Sequence, residues 1–254
     1  MKTNAIKLLL AAMIAANAGT ALADNDGGCN PAISTLMENA SIIGRYETGA
    51  GMMPDDIAPL GKLPFRMKDL KRPVFKNTTM TISHADIDSR GMITDAVNSK
   101  IEQLSRKGGG RLVIPEGHWL SGRLILKSGV DLHLDRGCTL EFSADINDYQ
   151  PALFTRHEGI EIMGAGAFIY AHKAKNIALT GQGTVMGPPM DAGMRRLKNG
   201  NSVVERDIDH RSPVASRICD GKEGRTFYRP KSFAPINCKN VLVEGVTFER
   251  SVLW

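Results

Sequence analysis

Two stretches of the chain, NIALTGQGTV at residues 176–185 and NVLVEGVTFE at residues 240–249, follow the same pattern. Each begins with asparagine, alternates apolar with other side chains, reaches a glycine, and continues into a second short run. Alternation with a period of two is typical of a β-strand with one buried face, and a glycine that interrupts it indicates a turn. A third, looser copy is GVDLHLDRGCTLEF at residues 129–142. The pattern predicts a repeated pair of short strands joined at a glycine.

The spacing of the copies indicates strands that stack in coils. The asparagines that open the first two copies are 64 residues apart. Subtracting a polar insert of about 40 residues, at about 187–230, leaves a repeat of about 24, within the range of coiled repeats. Further short strands are predicted at RLVIP (111–115), RLILK (123–127), VDLHLD (130–135), TLEF (139–142) and AFIYA (167–171). An antiparallel sandwich is the alternative, but Asn-Gly hairpin turns are missing and the copies run in one direction. We therefore predict an all-β fold, a right-handed parallel β-helix.

One amphipathic helix is predicted before the first of these strands, at residues 94–107. Its apolar residues Val97, Ile101 and Leu104 fall on one face, and Thr94 or Asp95 is expected to cap its start. Glycines at 108–110 end it. Because the first coil of a solenoid would otherwise expose its core, we expect this helix to cap the N-terminal end.

The first 23 residues are typical of a secretory signal peptide. Lys2 and Lys7 precede an apolar run, and Ala21-Leu22-Ala23 matches a cleavage site. The apolar run is shorter than the roughly 20 residues of a transmembrane helix, so no membrane contact is expected after cleavage. These features predict a secreted or periplasmic protein. Residues 24–80 form an irregular lead-in, and residues 81–254 form the β-helical domain.

Charge and cysteine content narrow the classes of partner. The net charge of +5 over 254 residues is mild, and no segment resembles a nucleic-acid-binding arm, so no nucleic-acid partner is expected. The four cysteines Cys29, Cys138, Cys219 and Cys238 permit three pairings if two disulfides form. The favoured interpretation is that Cys138 and Cys238 are buried strand residues. No CxxC pair is present, so no metal site is predicted.

Three segments together resemble the N-terminal portion of glycoside hydrolase family 28, the polygalacturonases. They are GGGRLVIPEGHWLSGRLILKSGVDLHLDRGCTLEFSADINDY (108–149), FTRHEGIEIMGAGAFIYAHKAKNIALTGQGTV (154–185) and YRPKSFAPINCKNVLVEGVTFERSVLW (228–254). The resemblance implies hydrolysis of α-1,4 bonds between galacturonate units of pectin, in an exo-acting or rhamnogalacturonan-type member. Polygalacturonate or a related pectic polysaccharide would be the partner, and no cofactor is implied.

In the family, the catalytic motifs are an Asn-Thr-Asp motif, an Asp-Asp pair, a Gly-His-Gly and an Arg-x-Lys, carried by later coils. The Asn-Thr-Asp and Gly-His-Gly motifs do not occur in this sequence. Asp55-Asp56 lies in the lead-in, where a solvated loop explains it better. The resemblance therefore implies a fragment, truncated after the early coils, with no catalytic residue of its own. The alternative is a non-catalytic β-helical carbohydrate-binding or adhesin-like module.

Substrate-binding residues are predicted among the basic side chains. Arg156 and His157 lie in a turn of the kind found in the family, and Arg211 and Arg229 lie in the polar insert. Guanidinium groups bind carboxylates through paired hydrogen bonds, which suits a polyuronate. The insert also holds the cluster Asp207, Asp209 and His210 and the arginines Arg195, Arg196, Arg206, Arg217 and Arg225. The alternative for the insert is a solvated loop of mixed charge.

The last predicted strands are rich in apolar residues. Val241, Val243, Phe248 and Trp254 are among them, and about half of the apolar side chains there should point into a core that no further coil covers. Open strand edges also pair readily with other chains. We therefore expect self-association through this C-terminal coil.

Overall fold

Short strands are the main regular elements in the part of the chain that the computed structural model describes, namely residues 71–191, 193–197, 208–209 and 211–253. The predicted signal peptide, most of the lead-in, Cys29, Asp207, His210 and Trp254 lie outside these residues. The helix α1 is Thr94–Arg106. The strands are β1 (Thr79–Thr81), β2 (Gly110–Ile114), β3 (Gly117–Ser121), β4 (Leu124–Ile125), β5 (Val130–Leu134), β6 (Cys138–Phe142), β7 (Leu153–His157), β8 (Ile160–Gly164), β9 (Ala167–His172), β10 (Lys175–Gly181), β11 (Thr184–Met186), β12 (Ile218–Cys219), β13 (Lys231–Ile236), β14 (Lys239–Glu244) and β15 (Thr247–Glu249).

Three parallel sheets form the walls of a coil. Sheet 1 has the order β1-β2-β5-β10-β14, sheet 2 the order β3-β6-β11-β15, and sheet 3 the order β4-β9-β13. Every pair of neighbours in these sheets is parallel. The chain visits the sheets in turn and returns to sheet 1 after each circuit, so each circuit is one rung of a parallel β-helix. The predicted architecture is confirmed.

Equivalent positions of successive rungs stack to form the core. In sheet 1 the register places Leu112 on Leu132 and Leu132 on Leu179, and all three side chains are fully buried. Each such side chain is removed from water by the rungs on both sides of it. At about 25 cal/mol per Å² of apolar surface, columns of this kind supply most of the stabilisation of a solenoid.

The repeated asparagines form a ladder at the corner before sheet 1. Asn240 Nδ2 donates a hydrogen bond of 2.7 Å to Asn176 Oδ1. Both residues have positive φ, 58° and 52°, and Gly129 occupies the equivalent place in the rung before with φ of 77°. Asparagine and glycine tolerate the left-handed region better than other residues do. The corner therefore explains why these residue types recur in the sequence.

Helix α1 covers the first rung. Its apolar residues Val97, Ile101 and Leu104 are fully buried and belong to the same core cluster as Leu112. The prediction that Thr94 or Asp95 caps the helix is wrong, because the N-cap is Ile93 and no side-chain capping bond is present there. The Thr94 hydroxyl instead accepts a hydrogen bond of 2.7 Å from the backbone N–H of Gly122.

The helix also forms hydrogen bonds with backbone groups at the first strand of sheet 3. Asn98 Nδ2 donates to the carbonyl of Arg123 at 3.0 Å, and Asn98 Oδ1 accepts from the N–H of Ile125 at 2.8 Å. One amide side chain thus takes the place of a neighbouring strand at β4. Unpaired backbone groups at a strand edge are costly when buried and promote association when exposed. By bonding to them, Asn98 lets the helix cap the edge of sheet 3 as well as the apolar core.

One antiparallel hairpin departs from the parallel pattern. Strands β7 and β8 pair antiparallel around Glu158 and Gly159, both with positive φ, 47° and 90°. Two successive residues of positive φ suit the right-handed twist of a tight hairpin. Strand β12 then joins β8 in parallel. The sequence interpretation placed only a turn here, so the hairpin is a correction.

Two of the predicted strand cysteines behave as apolar residues. Cys138 is buried in the main core, Cys238 packs partly buried against it, and no disulfide joins the two. Burial raises the pKa of the Cys138 thiol to about 12, and Asp135 adds to the effect. This thiol is therefore protonated and unreactive at neutral pH.

The fourth rung exposes apolar side chains, as expected. Val241, Val243 and Phe248 are 37%, 44% and 40% exposed. They lie in register with Ile177, Leu179 and Val185, which point into the core. Among the described residues, no strand stacks on the far side of β14 or β15. Self-association through this rung stays a prediction.

Rung stacking requires glycine at position 181, which gives a direct test of the fold. A Cβ on Gly181 (φ of 108°) would lie 1.9 Å from the carbonyl oxygen of Leu134, whereas a Cβ on Gly159 (φ of 90°) would meet nothing within 4 Å. Both positions carry similar left-handed strain, so Gly159→Ala is the matched control for Gly181→Ala. We expect Gly181→Ala to lower the free energy of unfolding by about 1–3 kcal/mol more than the control, because the rungs must separate. Urea unfolding would measure it, and equal losses would contradict the assigned register.

Candidate functional site

Two excursions leave the coil at the same corner, between sheet 2 and sheet 3. The hairpin β7–β8 leaves the second rung between β6 and β9, and residues 187–230 leave the third rung between β11 and β13. Because successive rungs stack, the excursions are neighbours, and β12 of the later one pairs with β8 of the earlier one. Both excursions from the coil meet at this corner, which is therefore the candidate site.

Three arginines meet at this corner, and we call them the arginine cluster: Arg195, Arg229 and Arg250. Arg229 Nη2 donates to the carbonyl oxygen of Arg195 at 3.0 Å. Arg195 Nη2 in turn donates to the carbonyl oxygen of Arg250, and its Nε donates to that of Pro188 at 3.0 Å. The cluster thus ties both ends of the second excursion to the turn after β15.

One carboxylate contacts the cluster through Arg250. Glu141, on β6, accepts from Arg250 Nη2 at 2.7 Å and pairs with His118 Nε2 at 2.7 Å. The Glu141 side chain is 15% exposed, and that of His118 is 63% exposed. Burial lowers the pKa of Arg195, and the neighbouring charges of Arg229 and Arg250 lower it further. The guanidinium of Arg195 therefore lies partly buried beside two further positive charges.

The four predicted substrate-binding residues all lie in or beside these excursions, in different environments. Arg156 is exposed on β7 and pairs with Glu161 at 3.2 Å. Arg211 is exposed and lies 3.5 Å from Asp209 Oδ1, while Arg229 belongs to the arginine cluster. Their contact with substrate stays a prediction. Asp209 is exposed and hydrogen-bonded to its own turn, as expected of a solvated loop.

The fourth residue, His157, is buried. Its ring contacts that of Tyr228 in a tilted arrangement, with centroids 4.3 Å apart and an interplanar angle of 32°. Burial lowers the pKa of His157, and the positive charge of Lys231 adds to this effect. Lys231 Nζ itself donates to the carbonyl oxygen of Arg156 at 2.6 Å. His157 therefore holds the hairpin against the second excursion as a neutral ring.

An open groove of about 300 Å³ lies at the other end of the coil, near the start of α1. Its polar groups are engaged within the protein: Arg90 forms two hydrogen bonds to Asp148, at 2.7 and 3.0 Å. Arg123, which is buried, donates to the carbonyl oxygens of Tyr149, Ala165 and Pro151. Burial lowers the pKa of Arg123 to about 10. These contacts fix the loop that follows β6 and leave few donors for a ligand.

Four of the described carboxylates are poorly suited to acid catalysis. Asp131, Asp148 and Asp220 each form an ion pair with an arginine at 2.7–2.8 Å. Hydrogen bonds from Lys100 and from Arg225 lower the pKa values of Asp86 and Asp220 respectively. A glycosidase acid needs the opposite, a carboxyl whose pKa is raised so that it stays protonated. Within the described ranges, no group of three or more His, Cys, Asp or Glu residues could hold a metal ion.

Comparison with solved structures identifies the fold family. An exopolygalacturonase from Thermotoga maritima matches with 29% identity and a TM-score of 0.60, over 73% of this chain and 44% of that one. The chain is similar in fold to this exopolygalacturonase. A family 28 exopolygalacturonase from Yersinia enterocolitica is 23% identical over 70% of this chain and 35% of its own, with a TM-score of 0.49.

The extent of the match is partial. The chain spans less than half of the length of the Thermotoga exopolygalacturonase. No protein-family model and no curated protein sequence matches the chain. None of the helices in the described ranges is long and apolar enough to cross a membrane.

The lowered pKa of His157 predicts a loss of stability in acid. The folded protein binds this proton more weakly than the unfolded chain, whose histidine pKa is about 6.5. The free energy of unfolding should therefore fall as the pH drops below about 6.5 and stop changing below the folded-state pKa. His157→Phe keeps a ring on Tyr228 and removes the titration, so its loss between about pH 7 and pH 5 should be smaller than that of the wild type.

Urea unfolding at both pH values would measure this difference, with His118→Gln as the control because that side chain is 63% exposed. A His157→Phe protein with the wild-type pH dependence would show that other groups control acid stability.

Proposed function

We propose that this protein belongs to a polygalacturonase-type glycoside hydrolase of α-1,4-galacturonosyl bonds in pectin, and that it supplies the scaffold and binding part of the enzyme. The observation that carries the proposal is the likeness to the Thermotoga exopolygalacturonase, at 29% identity and a TM-score of 0.60. The excess of arginine at the candidate site supports it independently, because pectin is a polymer of anionic sugars. We propose further that the enzyme is exo-acting.

The described residues contribute binding rather than bond cleavage. Inverting and retaining glycosidases both need two carboxyl groups on opposite sides of the scissile bond, one of them protonated. The ion-paired carboxylates of the described chain do not offer this arrangement, and the family's Asn-Thr-Asp and Gly-His-Gly motifs do not occur in the sequence. We propose that the catalytic carboxylates belong to rungs that this sequence does not contain. No cofactor and no nucleic-acid partner enters the proposal.

The N-terminal segment supports a proposal about the cellular location of the protein. We propose export by a signal peptide cleaved after Ala23 and action in the periplasm or outside the cell. Expression with the natural N-terminus in a bacterium should yield a mature protein that begins at Asp24. Mass spectrometry of the purified protein would measure this, and a retained Met1 would contradict export by cleavage.

The proposal predicts binding without turnover for residues 24–254. The protein should slow its migration in a native gel that contains polygalacturonate and migrate normally in one that contains a neutral glucan. It should release no reducing sugar from polygalacturonate under conditions in which an active polygalacturonase does, because the paired carboxylates are missing.

Two outcomes would contradict this. Equal migration in both gels would remove pectin as the partner. Turnover that is abolished by Asp209→Asn would place a catalytic carboxylate in the second excursion.

A further inference from the structure

The arginine cluster has a further role that rests on the proposed function. We infer that Arg195, Arg229 and Arg250 form a subsite for the carboxylate of one uronate residue of the polysaccharide. Arg229 was predicted from sequence as a substrate contact, whereas Arg195 and Arg250 join it through the structure. The inference depends on the charge, the fixed geometry and the neighbours of these three side chains.

Arg250 and Arg195 differ in how their positive charges are compensated. Arg250 pairs with Glu141, and Glu141 is shared with His118. Within the described residues, Arg195 has no carboxylate within 4 Å, and its donors go to neutral backbone carbonyls. Carbonyls satisfy hydrogen bonds but do not cancel a formal charge. An anion at this corner would therefore gain Coulomb energy in a partly buried place, where screening is weaker than at an open surface.

The guanidinium groups are held in place before any ligand arrives. Arg229 is held by the carbonyl oxygen of Arg195, and Arg195 is held by those of Arg250 and Pro188. A preorganised arginine loses less conformational entropy on binding, and its planar donors match a carboxylate. In the described chain, nothing accepts a hydrogen bond from the buried Nε of Arg250. An additional acceptor at this position would relieve the cost of that unmade bond.

Hydroxyl groups next to the cluster suit a sugar. Ser232 Oγ and Ser251 Oγ lie 3.1 Å apart, and Arg195 Nη2 donates to the carbonyl oxygen of Ser251 at 3.3 Å. Each hydroxyl can both donate and accept, as sugar hydroxyls do. A cationic group beside paired hydroxyls is the chemistry that recognises a uronate, which carries a carboxylate on a polyhydroxylated ring.

Binding of trigalacturonate and of its methyl ester, measured by calorimetry on residues 24–254, tests the inference. The ester has the same sugars without the charge, so we expect it to bind at least tenfold more weakly. Arg195→Gln and Arg250→Gln should each weaken trigalacturonate binding at least tenfold. Arg211→Gln makes the same charge change at a side chain that is 95% exposed, and it should stay within about twofold of the wild type.

The arginine variants could lose binding because they misfold, since these arginines also tie the second excursion to the coil. A variant that is expected to gain affinity avoids this ambiguity. Glu141→Gln removes the carboxylate that competes for Arg250 while keeping a hydrogen-bond acceptor. This variant should bind trigalacturonate more tightly than the wild type, by about two- to fivefold, which a misfolded protein could not do.

The outcomes separate the subsite from the proposed function. Wild-type binding that is unchanged in Arg195→Gln, Arg250→Gln and Glu141→Gln would overturn the subsite and leave a pectin-binding protein. Equal binding of the acid and its ester would likewise overturn the subsite. No binding of either ligand by the wild type would overturn both proposals.

Discussion

The parallel register between rungs is the constraint on which the rest of the structure depends. Each strand bonds to the equivalent strand of the rung before it, so equivalent positions lie above one another. A leucine placed once in the core side of sheet 1 must then be followed by an apolar residue in the next rung, as Leu112, Leu132 and Leu179 show. The same rule places Asn240 on Asn176, and it allows no side chain at Gly181.

This register also creates the candidate site. A segment too long for a rung can leave only at a corner, because anywhere else it would break the ladder of backbone hydrogen bonds. Both excursions of this chain leave between sheets 2 and 3, and stacking makes them neighbours. Glu141 and Arg250 are 109 residues apart in sequence, yet they bond because Glu141 lies on β6 of sheet 2 and Arg250 directly follows β15 of the same sheet. The site is therefore a consequence of stacking and not of any local motif.

The strands and the body of the helix could be predicted because their signals are local. Alternation marks the strands, and the spacing of Val97, Ile101 and Leu104 marks the helix. The N-cap of the helix could not be predicted, because the Thr94 hydroxyl accepts a hydrogen bond from Gly122, a contact that exists only after folding. The hairpin had a local signal in Glu158-Gly159, which the family resemblance led us to interpret as a turn alone. Glu141 and Arg250 carried no signal, since their meeting depends on register.

A comparison of buried Arg123 with partly buried Arg195 suggests a role for the cluster beyond a structural tie. Arg123 lies alone, donates to three backbone carbonyls and orders a loop, which shows that one guanidinium suffices for that task. Arg195 makes similar carbonyl bonds but does so beside two further guanidinium groups, and their repulsion adds to the cost of its burial. A structure selected only for stability has no need of like charges at one corner. An anionic ligand would turn that repulsion into attraction, which is the physical reason to assign the corner to a uronate.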